Sequence, residues 1–245
     1  MSDWFESWFD SKYYHLLYAH RNENEAKQFI TKLVSFLTLP QGSEVLDLAC
    51  GKGRHAMVLA SAGLKVTGAD LSPASIACAT QASQGKAEFI VHDMRNPIEG
   101  KQFQAVFNLF TSLGYFEDAD DNVRVMNSVS QMLTDHGYFV IDFFNAHKVI
   151  HGLINSETVV RGDIHFNITR KVINGKIIKT IQFTVDNENY SFTESVSLFE
   201  LPAFTNMLHI SGFKLESVFG DYNLGTFAPE KSDRLILVAR KSNQA

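Results

Sequence analysis

Four polar residues, Asp47, Asp70, Asp93 and Asn108, each close or follow a short apolar run. Val45-Leu46 precedes Asp47, Val66 to Ala69 precede Asp70, Phe89-Ile90-Val91 lie just before Asp93, and Ala105-Val106-Phe107 precede Asn108. In a parallel sheet such residues collect along one edge, the crevice where ligands bind. Asp47 leads into the turn Ala49-Cys50-Gly51-Lys52-Gly53, and an amphipathic helix follows (Ala56, Met57, Leu59, Ala60). Glycine in such a turn lets backbone approach a ligand closely.

Gly51-x-Gly53-x-x-Ala56 formally fits a dinucleotide fingerprint, with Asp70 ending the next strand. A dinucleotide would set its pyrophosphate on the turn and the helix N-terminus. A carboxylate just before the turn repels it by ~1 to several kcal/mol, depending on burial. Asp47 stands there. S-adenosylmethionine has no phosphate and carries an amino group and a sulfonium, so the same acid becomes an asset. On this reading Asp70 accepts from the ribose hydroxyls and Asp93 from the adenine amino group. Met94 packs on the ring, and Asn108 lies beneath the methyl donor. The dinucleotide reading survives only if Asp47 points away from the turn.

Aromatic residues are the candidates for an acceptor pocket. Tyr14, Tyr18, Tyr115 and Tyr222 lie in segments expected to meet above the strand ends, where rings could exclude water and face a sulfonium. Ordinary core packing is the rival reading for each. Arg234 suits an acidic substrate or a structural carboxylate. A hydroxyl acceptor would need a general base, and His147, Asp142 and His20 are the options. Trp4/Trp8 and Phe5/Phe9 are spaced to share a helix face, either as a flap over the cleft or packed on the domain. Asp3, Glu6 and Asp10 give this stretch the wrong sign for a membrane surface.

The elements that position these groups follow from periodicity. Helix is expected over 24–39, strand over 44–48, helix to about 62, strand over 65–70, helix over 73–83, and strands over 87–91 and 103–109. A helix over 119–133 and a nearly continuous apolar strand over 138–144 follow. Alternation then changes to a period of two, with Asn174-Gly175 as a hairpin turn and Asn187-Glu188-Asn189 as another. Residues 155–200 therefore read as an antiparallel insertion, a lid or a dimerisation surface. A short helix after Pro202 and strands over 213–219 and 233–240 close the chain, the last strand antiparallel. The expected organisation is an N-terminal flap over 1–40, a cofactor-binding core over 41–154 and 201–245, and the insertion between. The fold class is α/β, doubly wound around a mainly parallel seven-stranded sheet.

Composition agrees with a folded enzyme-sized domain. The 245 residues are 45% hydrophobic and 20% charged, with net charge −5. That balance disfavours a phosphate-backbone binder. Two cysteines, Cys50 and Cys78, form no framework, and the nine histidines show no metal-binding spacing. No metal is expected. No apolar run is long enough for a membrane span, and the N-terminus is not signal-like, so a cytoplasmic location is expected.

The motifs Val45-Leu46-Asp47-Leu48-Ala49-Cys50-Gly51-x-Gly53, Gly68-Ala69-Asp70-Leu71-Ser72, Asp93-Met94 and Ala105-Val106-Phe107-Asn108 resemble those of the class I S-adenosylmethionine-dependent methyltransferases. The chain is most similar to the small-molecule subgroup with an antiparallel insertion after the fifth strand. Phe110 to Phe116, Gly220-x-Tyr222 and Arg234 to Lys241 add to that likeness. The resemblance implies a Rossmann-like methyltransferase fold with S-adenosylmethionine as cofactor. It implies that Asp47 and Gly51 serve the methionine moiety, with Ala49, Cys50 and Gly53 completing the turn. It gives the ribose and adenine to Asp70 and Leu71, and the adenine also to Asp93 with Met94. Asn108 is not followed by Pro-Pro-Tyr or Pro-Pro-Phe, which speaks against adenine or glutamine N-methylation. The expected partner is a small-molecule acceptor, on a monomer or homodimer. A non-catalytic cofactor-binding scaffold is one alternative. An RNA methyltransferase is another, with Lys171, Lys176 and Lys179 as its one cationic cluster, more simply read as a solvated face.

Overall fold

Successive side chains of a strand point to opposite faces, and here both faces are covered. In β1 (Glu44–Leu48) every residue after Glu44 is buried. The computed structural model describes residues 8–9, 11–18 and 23–242. Trp4, Phe5, Asp3, Glu6, Asp10 and His20 lie outside them.

From the N-terminus come α1 (Lys12–Leu17) and α2 (Glu23–Leu37), then β1 and α3 (Arg54–Ser61). Next are β2 (Lys65–Asp70), α4 (Pro73–Ser83), β3 (Glu88–Val91), β4 (Phe103–Asn108), α5 (Asp120–Met132), β5 (Leu133–Phe144) and α6 (Ala146–His151). A four-stranded unit follows: β6 (Ser156–Arg161), β7 (Ile164–Ile173), β8 (Lys176–Val185) and β9 (Glu188–Ser197). The chain closes with α7 (Leu201–Ile210), β10 (Phe213–Phe219) and β11 (Arg234–Lys241).

The main sheet has the order β10-β11-β5-β4-β1-β2-β3. Strands β1 to β5 run parallel, whereas β11 is antiparallel to both neighbours. The expected seven-stranded, mainly parallel sheet is therefore present. On one face α2 (Phe29, Ile30, Leu33) and α3 (Ala56, Leu59) cover Val45, Val66, Ala105 and Phe107. On the other, α5 (Val125, Met126, Val129) and α7 (Phe204, Leu208) cover Leu46, Val106, Phe139 and Ile141. Neighbouring residues such as Val45 and Leu46 thus enter different cores, which is the three-layer arrangement of such sheets.

The second sheet has the order β6-β7-β8-β9, all antiparallel. Its last two hairpins turn on Asn174-Gly175 and Asp186-Asn187, where all four residues have positive φ (49°, 71°, 52° and 63°). That is the twist two-residue hairpins require. The second turn falls one residue before the sequence-based expectation. The described N-terminal residues divide between the sheets. Trp8, Tyr13 and Leu17 pack with Phe166, Ile168, Ile181 and Phe183 of the second sheet, whereas α2 packs on the main one. No described helix is long and apolar enough to cross a membrane.

Candidate functional site

The parallel strands end together, and a cavity of about 430 Å³ opens over those ends. Its floor is Ala49, Cys50 and Gly51 after β1, Asp70 and Leu71 after β2, and Asp93 and Met94 after β3. Its wall is Phe110 to Ser112 with Tyr115 and Phe116, from the segment after β4. Phe9, Tyr14, His15 and Tyr18 form the roof. Ten sequence-expected residues meet here: the seven floor residues just named together with Tyr14, Tyr18 and Tyr115.

The turn after β1 owes its shape to local bonds. The Cys50 amide donates to the Ala69 carbonyl and the Gly53 amide to the Cys50 carbonyl, each at 3.0 Å. Gly51 has φ +54° and would point a Cβ into open space. Gly53 has a different task. A Cβ there would lie 2.7 Å from the Phe89 ring and 3.1 Å from the Ala79 Cβ, so this glycine serves close packing. It does not line the cavity.

Asp70 is held by two backbone amides, Gly51 to Oδ2 at 2.8 Å and Ser72 to Oδ1 at 2.9 Å. A carboxylate offers about four acceptor positions, so these bonds orient it without exhausting it. Asp93 takes the Arg95 guanidinium on both oxygens, at 3.0 and 3.1 Å from Nε and 2.6 Å from Nη2. Burial alone would raise the Asp93 pKa, but the bonds from Arg95 outweigh it and hold it below the usual value. Arg95 also reaches Asp121 at 3.0 Å.

Asp47 and Asn108 lie beneath the floor and do not line the cavity. Asp47 is almost fully buried. Burial pushes its pKa up to about 7, Asp70 adds to that shift, and the Ala56 amide and Arg54 oppose it. Asn108 donates from Nδ2 to the Leu48 carbonyl at 3.0 Å. Asp47 Oδ2 and Asn108 Oδ1 are buried acceptors without a hydrogen-bond partner. Unmet buried acceptors are costly and call for an explanation. A buried acid beneath the turn favours a cationic ligand above it and opposes a pyrophosphate, so the site fits S-adenosylmethionine.

Tyr222 and Arg234 stand behind the wall. Arg234 Nε donates to Asp142 Oδ1 at 2.8 Å and its Nη2 to Thr111 Oγ1 at 3.1 Å. The Tyr222 hydroxyl donates to Asp142 Oδ2 at 3.3 Å. Asp142 also accepts the Phe110 amide on Oδ2 at 3.0 Å, and its carbonyl takes the Thr111 amide at 2.9 Å. Phe110 and Thr111 both have left-handed φ, 67° and 64°, which is strained for side-chain-bearing residues. The Asp142 network holds them there. Of the two readings of Arg234, the structural carboxylate is the one present. Asp142 is fully engaged, and His147 stacks on His151 outside the cavity with ring centroids 4.2 Å apart.

Phe9, read from the sequence as part of a flap or of the packing, lines the cavity, whereas sequence reasoning missed His15, Lys52, Arg54, His55, His92, Arg95 and Phe110, which line it too. Position was the available signal for most of them. Lys52, Arg54 and His55 belong to the glycine turn and the helix start, and Arg95 follows Asp93 by two. Of the three lysines of the insertion, Lys171 is exposed but the other two are bonded inward. Lys176 Nζ donates to the Phe116 carbonyl at 3.0 Å, and Lys179 pairs with Glu194 at 3.4 Å while largely buried.

The fold and the cavity over the strand ends define an α/β protein that binds a nucleoside-bearing cofactor. A family model for a methyltransferase domain matches residues 45–137. Putative methyltransferase YqeM of Bacillus subtilis is 30% identical over 217 residues, covering 84% of this chain and 87% of that protein. The dTDP-4-amino-2,3,4,6-tetradeoxy-D-glucose N,N-dimethyltransferase of Saccharopolyspora spinosa is 26% identical over 192 residues, covering 76% of this chain and 77% of that protein. A solved S-adenosylmethionine-dependent methyltransferase from Clostridium acetobutylicum superposes with TM-score 0.82 at 17% identity, covering 94% of this chain and 96% of that one. The chain belongs to the S-adenosylmethionine-dependent methyltransferases.

Proposed function

We propose that this enzyme methylates a small-molecule acceptor held between the strand-end floor and the aromatic roof. The observation that carries the reading is one cavity lined both by the carboxylates Asp70 and Asp93 and by the rings of Phe9, Tyr14, Tyr18 and Tyr115. A volume of about 430 Å³ lies in the range of small-molecule sites. Bound S-adenosylmethionine supplies a methyl group already activated by its sulfonium. The chain's residues then bind, orient and exclude water. Asp47 offers negative charge toward the methionine end, Asp70 faces the ribose, and Asp93 with Met94 and Leu71 faces the adenine. Ala49, Cys50 and Gly51 give that end its backbone wall, and Asn108 supports it from below. Tyr14, Tyr18 and Tyr115 close the acceptor side. Holding a nucleophile about 3–3.5 Å from the methyl is worth up to ~7–11 kcal/mol.

An amino group on a nucleotide-linked sugar is the acceptor class we favour. Two relatives are named as N,N-dimethyltransferases of dTDP-amino sugars. Of the candidate bases, Asp142 is tied to Arg234 and Tyr222, and His147 lies outside the cavity. A neutral amine needs no dedicated base to attack a sulfonium carbon, which suits this arrangement. The test is mass spectrometry of pooled amino-sugar nucleotides incubated with enzyme and S-adenosylmethionine. A gain of one or two methyl groups is expected. Cofactor binding below ~1 mM with no methylated small molecule across such pools overturns the acceptor assignment and favours a non-catalytic scaffold.

A further inference from the structure

The inserted sheet β6–β9 contributes no residue to the cavity lining. It nevertheless touches both segments that bound the acceptor side. Under the wall, the Ser197 amide donates to the Gly114 carbonyl at 2.8 Å and Lys176 donates to the Phe116 carbonyl at 3.0 Å. Under the roof, one side chain gathers the contacts. Glu194 of β9 is buried and accepts the Trp8 indole N–H on Oε1 at 2.7 Å. The Tyr18 hydroxyl donates to the same carboxylate at 2.9 and 3.2 Å. Lys179 of β8 pairs with it at 3.4 Å and also donates to the Tyr18 oxygen.

We infer that Glu194 is a positioning residue for methyl transfer, clamping both ends of the N-terminal roof segment to the inserted sheet. Trp8 and Tyr18 bracket Phe9, Tyr14 and His15, which face the cavity. Aromatic contacts complete the clamp: Trp8 lies 4.4 Å from Phe192, and Tyr13 lies 4.7 Å from Phe183. Phe9 meets Tyr115 of the wall at 5.4 Å, so roof and wall are registered to each other. Burial first and the Glu194 carboxylate second hold the Tyr18 pKa well above the usual value. Tyr18 thus stands in the roof as a hydroxyl that donates to Glu194. Glu194 touches neither cofactor site nor cavity and acts through Trp8 and Tyr18.

This inference rests on the reading of the cavity as an acceptor site, and its test separates the two. Hydrogen exchange is followed in wild type, Glu194→Ala and Glu194→Gln, with S-adenosylmethionine as the calorimetric probe. Glu194→Ala is expected to speed exchange at residues 11–18 at least tenfold, leaving β1–β5 protected and cofactor affinity within threefold. Glu194→Gln keeps an acceptor oxygen for Trp8 and Tyr18 and is expected to restore most of the protection. If Glu194→Ala does not fold, Lys179→Met replaces it, with the same expectation at a smaller size. Unchanged exchange at 11–18, or loss of protection spread through β1–β5, overturns the positioning role. With the acceptor found by the pooled screen, KM is expected to rise at least tenfold in Glu194→Ala while kcat falls less than threefold. An unchanged KM also overturns the inference. A screen that yields no acceptor counts against the acceptor assignment alone, because the exchange experiment decides the clamp.

Discussion

Asp47 is the residue where stability and the proposed function pull apart. Its pKa is raised from 3.8 to about 7, with burial as the main cause. The folded chain therefore holds a proton there that the unfolded chain releases above about pH 4. The resulting stabilisation is full below that pH, declines as pH rises, and is gone above about 7. Linkage puts the size at about 4 kcal/mol at most. Asp47→Asn should raise the thermal midpoint of the ligand-free protein at pH 8 and leave it nearly unchanged at pH 4.5. A cationic ligand reverses the preference, so affinity for S-adenosylmethionine should fall up to tenfold per pH unit below 7 and release a proton on binding. In Asp47→Asn that pH dependence should vanish and affinity should drop throughout. Calorimetry in buffers of different ionisation enthalpy checks this, and a pH-independent wild-type affinity refutes it. The gathering of Asp47, Asp70, Asp93 and Asn108 at neighbouring strand ends was legible because parallel strands bring their ends together whatever the sequence between them, but only Asp70 and Asp93 reach the cavity. Arg95, His92 and Phe110 were not legible, because their approach to the cavity depends on loop conformations that no periodicity encodes.

At the scale of elements, β5 and β11 show how a sheet can shape a loop that it does not contain. Asp142 of β5 and Arg234 of β11 meet in an ion pair whose carboxylate is fully buried. Asp142 then spends its remaining oxygen on the Phe110 amide and the Tyr222 hydroxyl. Removing the cation leaves a buried charge, which costs about 3–5 kcal/mol. Arg234→Met should destabilise the fold by that amount in denaturant titrations and also release the strained Phe110–Thr111 pair. Arg234→Lys should recover part of the stability, because an ammonium can meet one oxygen but not also reach Thr111. Equal stability of the methionine variant and wild type would refute this account. Strands β1, β2 and β4 were legible almost to the residue from apolar runs closed by polar ends. The start of β5 was not. The strand begins at Leu133, because Leu133 already pairs with Phe103 ahead of a register shift, and Asp135 and His136 hide the strand pattern. Helix α6 also escaped notice, being one short turn after a buried strand end.

The whole molecule has two faces of one sheet as its main cores and a third, smaller core apart from them. Phe166, Ile168, Ile181 and Phe183 of the inserted sheet bury Trp8, Tyr13 and Leu17, and no residue of this cluster belongs to either main core. Of the three lysines of the insertion, Lys176 and Lys179 are bonded inward, and the net charge is −5. Filter binding to RNA should show no retention at ~50 mM salt, where a backbone-binding methyltransferase would bind tightly. The third core makes a sharper prediction. Elements held by separate cores can open separately, with their own free energies. The inserted sheet is joined to the main body through Val196, which belongs to a main core, and through Ile177 packed against it. Its far end, where Phe166 sits, depends on the third core. Phe166→Ala removes a fully buried ring, at ~3–5 kcal/mol. That loss should fall on the roof and inserted sheet and spare β1–β5. The chain provides its own reporter, because its two tryptophans are Trp4 and Trp8, both in the N-terminal segment. Indole fluorescence in urea should therefore report the roof, while bound S-adenosylmethionine reports the floor. In Phe166→Ala the fluorescence transition should move to lower urea and separate from the loss of cofactor binding. Coincident transitions in the variant would mean that the two sheets unfold as one unit. Separate transitions would mean that the acceptor side is built on a module whose stability can change without disturbing the cofactor side.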